Sequence, residues 1–121
     1  MANVKLIGLE QSAASQIGRA LDGGFHQIEQ LPANTRVGAL LDADIVFAGG
    51  EGKQYVPLLH RVRAERPDLP FVVVTRLPDT AGWLDALEAG ATDYCSAPFE
   101  SQQMNWLLRS ALSPRALTAA A

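Results

Sequence analysis

Short apolar runs alternate along the chain with stretches whose apolar positions recur every three or four residues. That alternation is expected where buried parallel strands are joined by amphipathic helices. Val4-Lys5-Leu6-Ile7-Gly8-Leu9 reads as the first strand, and Ser12 to Leu21 as a helix that Asp22-Gly23-Gly24 closes with a left-handed cap. Phe25 to Leu31 alternates apolar and polar residues, as a half-exposed edge strand does. Pro32 then punctuates, and Asn34 or Thr35 can cap a short helix carrying Val37, Leu40 and Leu41.

Ile45-Val46-Phe47-Ala48 is continuously apolar, which predicts a central strand covered on both faces. Tyr55 to Arg66 places Val56, Leu59 and Val62 at helical spacing, and Pro67 ends it. Phe71 to Val74 predicts a second central strand. Pro78-Asp79-Thr80 opens the next helix, with Trp83, Leu84 and Leu87 expected inward and Gly90 at its end. A fifth strand follows in Gly90 to Glu100, and Met104, Leu107, Leu108, Ala111 and Leu112 mark the inner stripe of a last helix. Five βα units with right-handed crossovers give an open, doubly wound five-stranded parallel sheet in three α/β/α layers. Ligands in that architecture collect at the carboxyl ends of the strands. Here those ends carry Leu9 and Glu10, Gly49 and Gly50, Thr75, and Ala97.

Composition narrows the function classes. With 121 residues, 48% hydrophobic and 19% charged, the chain can bury a core without metal or disulfide staples. A single cysteine excludes an internal disulfide, and Cys95, in an expected central strand, reads as a small buried residue. A net charge of −3 and the lack of a basic cluster argue against nucleic-acid binding by this domain. No window is apolar enough to span a membrane and the start lacks a secretory pattern, so the expected location is the cytoplasm.

The strand ends resemble those of a response-regulator receiver domain, the CheY-like branch of the flavodoxin-like folds, over nearly the whole chain. Asp44-Ile45-Val46-Phe47-Ala48-Gly49 resembles that family's third strand, Phe71-Val72-Val73-Val74-Thr75 its fourth, and Gly90-Ala91-Thr92-Asp93-Tyr94-Cys95-Ser96-Ala97-Pro98-Phe99-Glu100 its fifth. The resemblance implies an acidic pair holding Mg²⁺ after the first strand, a phosphorylated Asp after the third, a Thr or Ser after the fourth and a Lys after the fifth. This chain has Leu9-Glu10, Gly49, Thr75 and Ala97 at those places. Glycine supplies no nucleophile and alanine no charge, so the expectation is a degenerate pseudo-receiver that acts without phosphorylation. Metal is expected to be absent, with Glu10 a vestige, since one carboxylate is too few for Mg²⁺. No cofactor is expected. Tyr94 stands at the family's switch-aromatic position, and Pro98 matches the proline after the lysine, where the resemblance implies a cis Ala97–Pro98 bond.

Rival chemistries are weaker. Ala48-Gly49-Gly50-Glu51-Gly52-Lys53 has the look of a phosphate-binding loop, but that motif requires Gly at the position of Phe47 and Ser or Thr at Gln54. A weak anion or nucleotide site on its backbone amides stays open as an alternative. So does a phosphoaccepting receiver with a displaced acceptor. His26 and His60 have no neighbours at metal-ligand spacing, and Ser12, Ser15, Ser96 and Ser101 lack a base, so no enzyme is indicated. Asp85 and Glu88, like Arg61, Arg63, Glu65 and Arg66, read as wet helix faces.

Function is therefore expected in protein contacts. Receivers relay their state through the face of the fourth helix, fifth strand and fifth helix, here about Asp79 to Leu112, where Tyr94, Trp106 and Arg109 are candidate interface residues for a homodimer or a partner. Trp106 lies opposite the last helix's apolar stripe and should face solvent. Residues 1–112 are the expected domain, and Ser113-Pro114-Arg115-Ala116-Leu117-Thr118-Ala119-Ala120-Ala121 reads as a linker stub to an output domain. The resemblance also extends to the receiver-like amino-terminal domain of pilus-assembly localisation ATPases, which lack phosphorylation residues.

Overall fold

The structure, a computed structural model, describes residues 3–21, 27–50, 54–76, 79–96 and 99–112. Five parallel strands, β1 (Asn3–Ile7), β2 (Gln27–Leu31), β3 (Ile45–Gly49), β4 (Phe71–Thr75) and β5 (Asp93–Ser96), form one sheet in the order β2-β1-β3-β4-β5. Four α-helices, α1 (Gln11–Ala20), α2 (Val56–Glu65), α3 (Thr80–Ala89) and α4 (Ser101–Leu112), cover it. The fold is the predicted CheY-like three-layer sandwich.

Period-two alternation along each strand distributes side chains to the two faces. Val4, Leu6, Ile45, Phe47, Val72, Val74 and Cys95 pack with Ala14 and Ile17 of α1 and Met104, Leu107 and Leu108 of α4. Ile7, Val46, Ala48, Phe71 and Val73 pack on the other face with Leu58, Leu59 and Val62 of α2 and Ala86 of α3. Phe47 and Phe71, both fully buried on opposite faces, each contribute about 2–3 kcal/mol of apolar burial. Asn105 ties the two helices of the first face, donating through Nδ2 to the Ala20 carbonyl at 3.1 Å.

Several local expectations are corrected. The segment after β2 forms only a 3-10 turn, Val37–Leu40, entered from Arg36 without a side-chain cap, so neither Asn34 nor Thr35 caps it. With so little cover, β2 is exposed on both faces rather than half-exposed, and Ile28 keeps 38% of its surface. Cys95 belongs to an edge strand, not a central one, yet α4 still buries it. On α3 only Ala86 is buried, while Trp83 and Leu84 remain 44% and 47% exposed. The small Ala86 lets the helix sit close to the sheet, and its bulky neighbours point away. Asp79 caps α3 by accepting from the Gly82 amide at 2.6 Å, and Gly90 ends it at φ +109°, a conformation that suits glycine.

Arg63 and Arg66 do not lie on a wet face. Arg63 donates to the carbonyls of Leu69 at 2.7 Å and Gly90 at 2.8 Å, joining α2 to the start of β4 and the end of α3. Arg66 donates to the Ala43 carbonyl at 2.6 Å, ahead of β3. Burial lowers the Arg63 pKa, opposed by the charge of Asp68. Asp22 to Gly24, Phe25, His26, Glu51 to Lys53, Pro78, Ala97, Pro98 and residues 113–121 lie outside the described residues, as do the side chains of Ala111 and Leu112.

Candidate functional site

The sheet register sets the site. Ile7 pairs with Ala48, Gly49 with Val74 and Thr75 with Ser96, so the exits of β1, β3, β4 and β5 end at nearly one level. At that level Leu9, Glu10, Gly49 and Thr75 come together with Gly8, Ala13, Val74 and Arg76 around a cleft of about 150 Å³. Tyr94 is not among its lining residues.

Among the described lining residues, the polar side chains are Glu10, Thr75 and Arg76. Thr75 is buried at 9% exposure, and Leu9 packs against the core beneath α1 and α4. Arg76 approaches Glu10 to 3.5 Å, and both are mostly exposed, so solvent screens the pair. Glu10 is the one carboxylate among the described lining residues, and its neighbour is a cation. Mg²⁺ takes one or two carboxylates along with waters and phosphate oxygens, so the described lining is at the lower bound of that set, with its one carboxylate already beside a cation. Among the described residues no group of three or more His, Cys, Asp or Glu could hold a metal.

Backbone fills the place opposite the acceptor position. Gly8 turns out of β1 at φ +61° and donates its amide to the Leu31 carbonyl at 2.9 Å. A β-carbon added to Gly49 would lie 2.7 Å from the Gly8 carbonyl oxygen, closer than real β-carbons come. Gly50 is crowded as well, since its β-carbon would meet Val73 Cγ1 at 2.7 Å, and its amide donates to the Val74 carbonyl at 2.7 Å. Sequence reasoning missed the parts played by Gly8 and Arg76. A glycine inside an apolar run and an arginine directly after the strand-end threonine were the available signals.

The proposed interface residues lie elsewhere. Tyr94 is half-buried against the α2 and α3 side, its hydroxyl over Gly82, where an added β-carbon would come within 2.7 Å. On α4, Trp106 is 58% exposed, as its position off the stripe predicts, and Arg109 is exposed. His60 is exposed on α2. Burial, then the charge of Asp93, pushes the Cys95 thiol up to about 12, so it has little thiolate and is chemically quiet.

No family model matches the chain. The KDP operon transcriptional regulatory protein KdpE of Escherichia coli (strain K12) is 30% identical over 128 residues, covering 99% of this chain and 55% of that protein. The chain thus spans about half the length of this curated relative. A response regulator receiver domain protein from Clostridium thermocellum shares the fold at TM-score 0.75 and 15% identity, over 98% of this chain and 99% of that one.

The chain has the CheY-like receiver fold and is similar in sequence to part of a response regulator. A pilus assembly-related protein from Burkholderia pseudomallei K96243 has the same fold, with TM-score 0.72 and 21% identity over 92% of this chain and 89% of that one. Among the described residues of the receiver domain, no helix is long and apolar enough to cross a membrane.

Proposed function

We infer that this receiver domain is a phosphorylation-independent pseudo-receiver, a non-enzymatic cytoplasmic module that signals through protein contacts. One observation carries the reading: Gly49 ends β3 where the family's acceptor stands, and it offers neither a nucleophile nor room for one. Phosphoryl transfer depends on nucleophile, metal and cation acting together. Leu9 and Ala97 stand where two of the other partners belong, leaving Glu10 and Thr75 as remnants. The chain's 55% span of the KdpE relative supports an output domain beyond the 113–121 linker of a longer response regulator. A second reading, a receiver-like domain in a pilus-assembly protein, is favoured by the fold match to the Burkholderia protein and carries the same silent site.

Incubation with acetyl phosphate and Mg²⁺, followed by intact-mass measurement, tests the central point. The mass should stay unchanged. A stoichiometric, hydroxylamine-labile phosphate adduct would overturn the reading.

The contact face runs over α3, β5 and α4. Trp83 and Leu84 on α3 and Trp106 on α4 are large exposed apolar groups of the kind that anchor interfaces, and α4 also carries the exposed Arg109. Trp106→Ala should weaken self-association or partner binding at least tenfold, roughly the loss of one anchor residue, with the melting temperature nearly unchanged. Normal association together with early unfolding would make Trp106 a packing residue instead.

A further inference from the structure

The silent site has a physical stopper besides its missing groups, an inference that rests on the pseudo-receiver reading. Gly8 is held between two neighbouring loops. A β-carbon on Gly8 would meet Ala33 Cβ at 3.0 Å, and one on Gly49 would meet the Gly8 carbonyl oxygen at 2.7 Å. The Gly8 amide, bonded to Leu31, fixes the turn from the β2 side. The exits of β1, β2 and β3 therefore pack backbone to backbone at one point.

That contact divides the carboxyl edge of the sheet. The 150 Å³ cleft on the Thr75 side and a smaller one of about 30 Å³ bordered by Ala33, Gln54 and Tyr55 both have Gly8 and Gly49 in their walls. We propose that the Gly8 turn is a built-in plug: its carbonyl closes the space directly above residue 49, excludes a side chain there and holds the ends of β1, β2 and β3 in one arrangement. A carbonyl oxygen in that place is itself an acceptor, so it disfavours an anion directly over Gly49. The strand-end glycines form a matched pair, residue 49 lacking a side chain where the Gly8 turn brings its carbonyl. Restoring an aspartate alone then leaves the site closed.

Size separates this plug from mere loss of chemistry. Gly49→Ala adds one uncharged carbon against backbone. It should lower the melting temperature by roughly 5–10 °C, the usual scale of overpacking, and move the amide resonances of Gly8, Leu9 and Ala33. Gly38→Ala is the control, because nothing lies within 4 Å of its added carbon, and it should leave both unchanged. In the wild type the Gly8 amide should exchange with solvent at least roughly tenfold slower than in the unfolded chain, which keeps the test valid should Gly49→Ala not fold. A Gly49→Ala variant with wild-type melting and unmoved Gly8 and Ala33 resonances, or a rapidly exchanging Gly8 amide, would overturn the plug. So would a stoichiometric acyl phosphate on Gly49→Asp with none on the wild type, and that outcome would leave the pseudo-receiver reading standing. An adduct on the wild type would end the earlier reading instead.

Discussion

Among the described residues, side chains fasten the amino end of the sheet, whereas at the carboxyl end glycines bring backbone segments close together. Around the strand starts, Asn3 and Asp44 exchange hydrogen bonds, with the Asn3 amide reaching Asp44 Oδ2 at 2.7 Å, and Arg63 and Arg66 donate to carbonyls on three other segments. Lys5, buried in β1, reaches Glu29 at 2.5 Å and Asp42 at 3.7 Å. At the strand exits the close contacts are glycine against backbone, and the nearest ion pair, Glu10 with Arg76, is exposed and contributes less than about 1 kcal/mol. Among the described residues, the fastening side chains Asn3, Asp44, Arg63 and Arg66 gather at the strand starts, opposite the end at which this architecture places ligand chemistry.

Removing a fastener at the amino end should break this comparison most visibly. Arg63→Ala leaves the Leu69 and Gly90 carbonyls without their donor. A loss of about 2–3 kcal/mol is expected for charged hydrogen bonds to partly buried acceptors, which is a fall of roughly 10 °C in melting temperature for a domain of this size. Thermal denaturation by circular dichroism measures it. A variant that melts within a degree of the wild type would mean the arginine only decorates the surface.

Lys5→Met is the milder test, because the aliphatic stem still packs and both carboxylate partners remain in water. A loss of about 1 kcal/mol is expected. The pH dependence has a definite sign. The hydrogen bond to Glu29 raises the Lys5 pKa above 10.5 against the opposing effect of burial, and Asp42 adds to the rise. A raised folded-state pKa contributes stability that is complete below 10.5 and is lost as pH climbs through the folded value. Wild type and Lys5→Met should therefore differ at pH 8 and converge as the pH climbs through the raised folded-state pKa of Lys5. A constant difference across that range would assign the effect to packing alone.

Much of the fold was legible because it rests on short-range patterns. Ile45 to Ala48 and Phe71 to Val74 are apolar on both faces, so each had to be a covered strand, and both are. Met104, Leu107 and Leu108 marked the buried stripe of α4 and left Trp106 outside. The same reasoning misplaced Trp83 and Leu84, because α3 is apolar nearly all round and its sequence does not say which side meets the sheet. It also took Arg63 and Arg66 for solvated charge, since charge at helical spacing does not reveal unpaired carbonyls on a distant loop. The cleft was half legible: Leu9, Glu10, Gly49 and Thr75 do meet there, while Gly8 and Arg76 went unremarked.

By itself the sequence determined the alternation of strands and helices, the division of apolar residues between two faces, and the absence of a nucleophile at position 49. These follow from side-chain type and from periods of 2.0 and 3.6 residues, which are local properties. Only the tertiary structure decided that the Gly8 carbonyl lies against Gly49, that Arg63 joins three segments, and that Trp83 and Leu84 remain in water. Those outcomes depend on how close distant segments come when the sheet twists and the layers pack, and separation along the chain carries no record of that distance.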